Sequence, residues 1–551
     1  MSGKSFNNSE EVDFVIVGSG AAGGVLAREV SQAGHSVVVM ERGPYLKQGD
    51  FHHDELAYWF ANELMQANGV PPQSFRHSAD DETDFHPEYP NMLYAQCVGG
   101  SSVHFTANYW RFHPVDFHEH SVHGDIPGAA LADWPISYEE LEPYYTKVEW
   151  EVGVSGLAGA HPNEPPRSKP YPMPPLPVKS SGVLFEKGAF ELGLNPFPAP
   201  MAINSVPYDG RAACGHCGFC MGFGCEMGAK SSTLFNMIPQ AEATGLCEIR
   251  AGANVVRVDT NKKGRATGVI YYDLRGQQHL QKAKAVVLSA NGAETSRLLF
   301  LSENSHFSDG LANSSGMVGK HMMFNGGGIA GAFYEHPLNE YKSVQVTRIC
   351  HDFYDTDPQR GFYGGGGIDG RVMWSPIAYA VIGGMPGDPG WGPEHKDYLR
   401  QYPNFMYSST HSTSLPVETN RVELDPEHLD SYGLPGIRLT YTDHADDLAT
   451  TRFLVDRAAE ILEASGAKKV WKDKVAMQSF TAHLLGTCRM GNNPATSVVD
   501  KYHRTHDVPN LFICDGSNLV TSGRGQPTET IQALAFRAAE HMSRCAKNNE
   551  I

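Results

Sequence analysis

No apolar run in the 551 residues approaches the ~20 that a membrane-spanning helix needs, so the chain is not expected to cross a bilayer by itself. Its opening, Met1 to Val12, holds neither an apolar signal core nor paired arginines, so the chain is not expected to carry an export address of its own. Positive charge is scarce. With 44 Lys and Arg against 62 Asp and Glu, the net charge of −18 argues against a nucleic-acid or anionic-membrane footprint, which requires clustered cations. Six of the cysteines, Cys97, Cys247, Cys350, Cys488, Cys514 and Cys545, are scattered without a disulfide rhythm. That scatter suits a reducing compartment, and export after folding beside a partner is compatible with it. No internal repeat is evident.

What is abundant is glycine, 57 residues of it, which points to backbone approached closely by a ligand. The length exceeds the usual single-domain range and implies two intimately packed domains with room for a large cofactor. Asp13–Val17 reads as a buried strand leading into Gly18-Ser-Gly20-Ala-Ala-Gly23-Gly24 and a helical run from Val25. A second strand, Val37–Met40, ends at Glu41, where a carboxylate can accept from the hydroxyls of a ribose. Gly18 permits the tight turn, Gly20 lets backbone approach a pyrophosphate, and Gly23 lets helix pack on strand. Strand, loop, helix, strand and acid in order make a dinucleotide site, which nicotinamide and flavin cofactors share.

Further motifs favour flavin. Met92–Phe112 carries the turn Gly99-Gly100-Ser101-Ser102, followed by His104. Near the end stand His483-Leu-Leu-Gly486-Thr487, the strand-like Asn510–Cys514, Asp515-Gly516-Ser517 and Gln526-Pro-Thr528. With these motifs the chain resembles the glucose-methanol-choline oxidoreductases over essentially its whole length. The segments Pro207–Arg211, Gly228–Lys230 and Ala290-Asn291-Gly-Ala-Glu294 are similar to those of the flavoprotein subunits of bacterial sugar and sugar-acid dehydrogenases.

The resemblance implies an α/β fold, α+β overall: a Rossmann-like FAD-binding domain with a parallel sheet, and a substrate domain on an antiparallel sheet with helices. The expected FAD-binding segments are 1–125, 205–330 and 475–551, and the substrate domain takes 126–204 and 331–474. Expected FAD contacts are Gly18, Gly20, Gly23, Glu41, Gly99, Gly100, Ser101, His104, Val255 on an Asn254–Asp259 strand near the adenine, Asn291, Asp515, Gly516 and Thr528. Some family members attach flavin covalently at the place of His104. His483 stands at the family's active-site histidine, and imidazole suits removal of a hydroxyl proton because its pKa lies near neutrality. Gln526 replaces the usual second histidine or asparagine; a slip in register to Arg524 or Thr528 is the alternative. An amide can position a hydroxyl but cannot share its proton.

Four cysteines fall within residues 211–230: Cys214, Cys217, Cys220 and Cys225. Two-residue gaps with intervening glycines let thiolates converge on one metal, an iron–sulfur cluster or zinc. By resemblance the expectation is an iron–sulfur cluster, [3Fe–4S] ahead of [4Fe–4S], passing electrons from flavin to a cytochrome c or another acceptor. The expected partners are a small subunit bearing an export signal and that cytochrome, with a periplasmic or membrane-associated location through them, or else a cytoplasmic one. The implied reaction is oxidation of a hydroxyl of a sugar, glycoside or sugar acid by hydride transfer to flavin N5. The rivals are an oxygen-using oxidase with zinc or no metal in the loop, and a non-catalytic flavin scaffold.

Overall fold

The structure is a computed structural model and describes residues 4–551 apart from 68, 88, 89, 373 and 384. Its centre is the strand Val12–Val17, whose residues Phe14, Val15 and Ile16 are fully buried. Such a continuous apolar run belongs between two covered faces of a parallel sheet, where each buried Val, Ile or Phe contributes about 1.5–3 kcal/mol. Val37–Glu41 pairs in parallel on one side, with Val15 opposite Val38, and Gln278–Leu288 on the other, with Val15 opposite Val286. Cys247–Ala251 extends one edge and Leu511–Ile513 the other, both in parallel. The early half of Gln278–Leu288 instead turns back through Ala266–Tyr272 to Asn254–Thr260 as an antiparallel meander.

The helices Ala21–Gln32 and Thr528–Lys547 pack against each other beside this sheet and share its core. This brings the two ends of the chain to one place. A second sheet of six antiparallel strands is assembled in the order Lys469–Lys472, Ile329–Phe333, Phe405–Ser412, Gly366–Arg371, Val346–Cys350 and Phe197–Pro198. The helix Ala445–Ala464 covers it by setting Leu454, Ala458, Ile461 and Leu462 against Ala330, Ile368 and Met406. The parallel and antiparallel sheets match the architecture expected from the sequence. No described helix is long and apolar enough to cross a membrane.

Candidate active site

A single cavity of about 1800 Å³ runs from the glycine turn at residue 18 to the strands of the antiparallel sheet. Ordinary ligand pockets measure about 300–1,000 Å³, so this one has room for a large cofactor and a second molecule. Gly18, Gly20, Glu41, Gly100, Ser101, His104, Val255, Asn291, Asp515, Gly516, Thr528, His483 and Gln526 all line it. Gly23, Gly99 and the four cysteines of the 211–230 loop do not.

The glycines divide the work as their spacing implies. Gly18 has φ +96°, and a Cβ there would lie 2.4 Å from the Ser289 carbonyl oxygen. A Cβ on Gly23 would lie 2.0 Å from the carbonyl oxygen of Gly18, so this residue seats the helix on the turn. A Cβ on Gly20 would meet only the Gly100 Cα, at 3.9 Å, so the backbone here is open to the cavity. Ser19 links the parts: its hydroxyl donates to Glu41 Oε2 at 2.6 Å, and its oxygen accepts the Gly99 N–H at 3.0 Å. Burial pushes the Glu41 carboxyl up, while the N–H groups of Gly43 and Ser19 and the Ser19 hydroxyl work against that rise.

Asp515, which lines the cavity, also braces its wall. Its Oδ1 accepts from the Ser517 N–H and hydroxyl, and its Oδ2 accepts from the Asn291 N–H at 3.0 Å and the Thr295 hydroxyl at 2.6 Å. It buckles the turn after Leu511–Ile513 to the start of the helix Gly292–Leu301, which Asn291 caps through the N–H groups of Ala293 and Glu294. His104 Nε2 is buried without a hydrogen-bond partner among the described residues, and burial, aided by Lys230, lowers its pKa to about 4. An open glycine turn, a carboxylate beside it and an orphaned imidazole nitrogen on the same wall fit FAD.

At the other end, His483 Nδ1 lies 3.0 Å from Asn325 Oδ1. The Asn325 amide can point only one way, because its NH₂ donates to the carbonyls of Ser522 and Gly523 at 3.1 and 3.2 Å. Oδ1 is therefore the acceptor, the imidazole proton sits on Nδ1, and Nε2 is left with a free lone pair. Burial and the neighbouring His411 lower the His483 pKa to about 4, so the ring is neutral at pH 7. Beside it, Gln526 Nε2 lies 3.3 Å from His411 Nδ1, and His411 Nε2 lies 2.6 Å from Asp369 Oδ2. Arg371 forks onto the same carboxylate and lines the cavity. Arg524, the alternative to Gln526, is fully buried against Asp116 and Glu119 and does not reach the cavity.

The cysteine loop departs from the convergence that its spacing implies. Cys220 is buried, Cys214 and Cys225 are half-buried and Cys217 is exposed. Among the described residues no three Cys, His, Asp or Glu side chains come together as metal ligands. The Lys230 ammonium collects the carbonyls of Phe105, Cys220 and Phe223 at 2.9, 2.6 and 2.8 Å, so the loop closes around this cation and not around sulfur. Burial pushes the Cys220 thiol up to about 12 and raises those of Cys214 and Cys217. The donor set suits iron–sulfur or zinc in kind, but its placement does not.

Sequence reading missed Asn325, Asp369, Arg371, His411 and Lys230. A polar residue within the glycine-rich stretches 325–328 and 364–370 is the one signal that could have drawn attention to Asn325 and Asp369.

Comparison with known proteins agrees with this geometry. The GMC oxidoreductase family models match residues 12–323 and 416–535. The chain is 36% identical to 2-methyl-1,2-propanediol dehydrogenase of Mycolicibacterium austroafricanum over 98% of its own length and 96% of that protein's. It is 30% identical to the fructose dehydrogenase large subunit of Gluconobacter japonicus, covering 97% and 98% of the two chains. Against the gluconate 2-dehydrogenase flavoprotein of Pantoea cypripedii the figures are 29%, 97% and 94%. Formate oxidase of Aspergillus oryzae RIB40, solved in a study of its FAD modification, shares the fold with a TM-score of 0.70 at 14% identity, over 99% and 100% of the two chains. The chain thus belongs to the GMC oxidoreductase family, FAD-dependent enzymes that act on CH–OH donors.

Proposed function

We propose that the protein is a dehydrogenase that oxidises a hydroxyl of a sugar or related polyol and passes the electrons to an acceptor other than oxygen. The observation that carries this reading is His483, a neutral imidazole with its proton held on Nδ1 and Nε2 free at the cavity wall. FAD, when bound, supplies the hydride acceptor at its N5. His483 Nε2 takes the hydroxyl proton as the carbon gives up its hydride, leaving a carbonyl product and an imidazolium that later releases its proton to water. Asn325 stabilises that imidazolium through the Nδ1–H bond. Gln526 orients the hydroxyl. Gly18, Gly20, Glu41 and the Gly100–Ser101 turn would hold the cofactor. The acceptor is inferred from relatives named as dehydrogenases of a diol, fructose and gluconate.

An iron–sulfur cluster on Cys214, Cys217, Cys220 and Cys225, which would take up electrons singly, is the finer part of the proposal. It rests on the four thiols in one short loop, two of which already accept backbone N–H bonds, from His216 to Cys214 and from Lys230 to Cys225, both at 3.4 Å. It requires the loop to rearrange around the metal. Iron and acid-labile sulfide analysis with electron paramagnetic resonance decides it and its nuclearity. A small subunit and a cytochrome c, with the periplasmic setting they would confer, complete the proposal, and co-purification of a haem protein from the native host tests them. The activity itself is tested by polyol-dependent reduction of an artificial acceptor together with oxygen uptake. Acceptor reduction without peroxide supports a dehydrogenase, whereas stoichiometric peroxide makes it an oxidase.

A further inference from the structure

Three arginines line the cavity: Arg42, Arg297 and Arg371. Each is matched by a carboxylate. Arg42 Nη2 lies 2.6 Å from Glu294, Arg297 Nη2 lies 2.7 Å from Asp430, and Arg371 forks onto Asp369 through Nε and Nη2. Among the described residues, then, no cation on the wall has its charge uncompensated, and a carboxylate on the substrate would meet no free counter-charge.

Arg371 stands apart because it belongs to the group beside His483. Its Nε and Nη2 are committed to Asp369, while Nη1 has no hydrogen-bond partner among the described residues and so presents two N–H donors. His411 donates from Nε2 to Asp369, which makes its Nδ1 the acceptor for the Gln526 NH₂. The amide oxygen of Gln526 is thereby left for a substrate hydroxyl. Donor and acceptor stand on either side of one histidine, Arg371 at 3.1 Å from its Nε2 and Gln526 at 3.3 Å from its Nδ1.

We propose that Arg371, neutralised by Asp369, binds a second, uncharged oxygen of the substrate, so that the enzyme selects neutral vicinal diols and sugars over mono-alcohols and sugar acids. This deepens the dehydrogenase reading and rests on it. Arg371 acts as a specificity residue: it holds the neighbouring oxygen while His483 removes the proton. A charged donor such as guanidinium contributes about 1.5–3 kcal/mol to a hydrogen bond, which converts to about 10- to 150-fold in kcat/KM.

The test compares 1,2-propanediol with 1-propanol, and D-glucose with D-gluconate, on purified holoenzyme with an artificial acceptor. In the wild type, kcat/KM should favour the diol over propanol, and glucose over gluconate, by at least about tenfold. In Arg371→Met the diol-to-propanol ratio should collapse towards one, chiefly through KM for the diol, with the bound-flavin spectrum retained. Arg371→Lys keeps the charge without the fork and carries the test if the Met variant does not accumulate; its ratio should fall to an intermediate value. An unchanged ratio in both variants, or a preference for gluconate in the wild type, overturns the inference. Failure of all four compounds to reduce the flavin overturns the dehydrogenase reading itself, and this one with it.

Discussion

The Asn325–His483 pair can be isolated by a double-mutant cycle. Asn325→Ala removes the acceptor that keeps the imidazole proton on Nδ1, so part of the enzyme population carries it on Nε2, where no lone pair faces the substrate. One hydrogen bond of this kind has a net worth of about 0.5–1.5 kcal/mol, which sets the expected fall in kcat at about 2- to 12-fold. His483→Ala removes the base itself and should lose about 100-fold or more while retaining FAD. If Asn325 acts through His483, the double variant is no slower than His483→Ala, because nothing is left to orient. Asn325→Ala also frees the carbonyls of Ser522 and Gly523, so a stability loss of about 1–3 kcal/mol accompanies the kinetic effect and is read separately by denaturant unfolding. The assay is single-turnover flavin reduction at saturating polyol. Equal effects of Asn325→Ala in the presence and absence of the His483 side chain would refute the tautomer argument and leave Asn325 a purely structural residue.

The pH dependence follows from the buried imidazole. His483 acts as a base only when neutral, and its pKa is lowered to about 4, so kcat/KM should hold from pH 7 down to about 5 and fall as pH drops through 4; an acid limb near 6.5 contradicts this. Gly18→Val should lose stability in denaturant unfolding and FAD, measured as the ratio of flavin to protein absorbance, together, because its Cβ would lie 2.4 Å from the Ser289 carbonyl at a φ of +96° and force the turn to move; unchanged stability with full cofactor content refutes it. Arg524→Met leaves Asp116 and Glu119 buried without their cation and should cost about 3–5 kcal/mol in denaturant unfolding. Unchanged stability with lost turnover would instead place Arg524 in the chemistry.

Local motifs carried the cofactor half of the site. The turn from Gly18 to Gly23 and the strand ending at Glu41 are set by neighbours a few residues away, so pattern locates them, whereas His483 and Gln526 were placed by resemblance to the family. The substrate half is built by register. Asp369 and Arg371 sit on one strand opposite Ser409 and Tyr407, and His411 pairs with Gly367, so these three side chains meet through antiparallel pairing that no short window of sequence displays. Asn325 reaches His483 across 158 residues. The cysteine spacing displayed four candidate metal ligands but not the role of Lys230, whose ammonium gathers the carbonyls of Phe105, Cys220 and Phe223, because that contact depends on the folded path of the chain.

The most direct measurement is anaerobic mixing of FAD-loaded protein with 1,2-propanediol or D-glucose, followed by stopped-flow absorbance, in the wild type and in His483→Ala. Proton removal by His483 predicts rapid bleaching of the oxidised flavin in the wild type and bleaching about 100-fold slower in the variant at equal flavin content. Equal rates in the two proteins would contradict it.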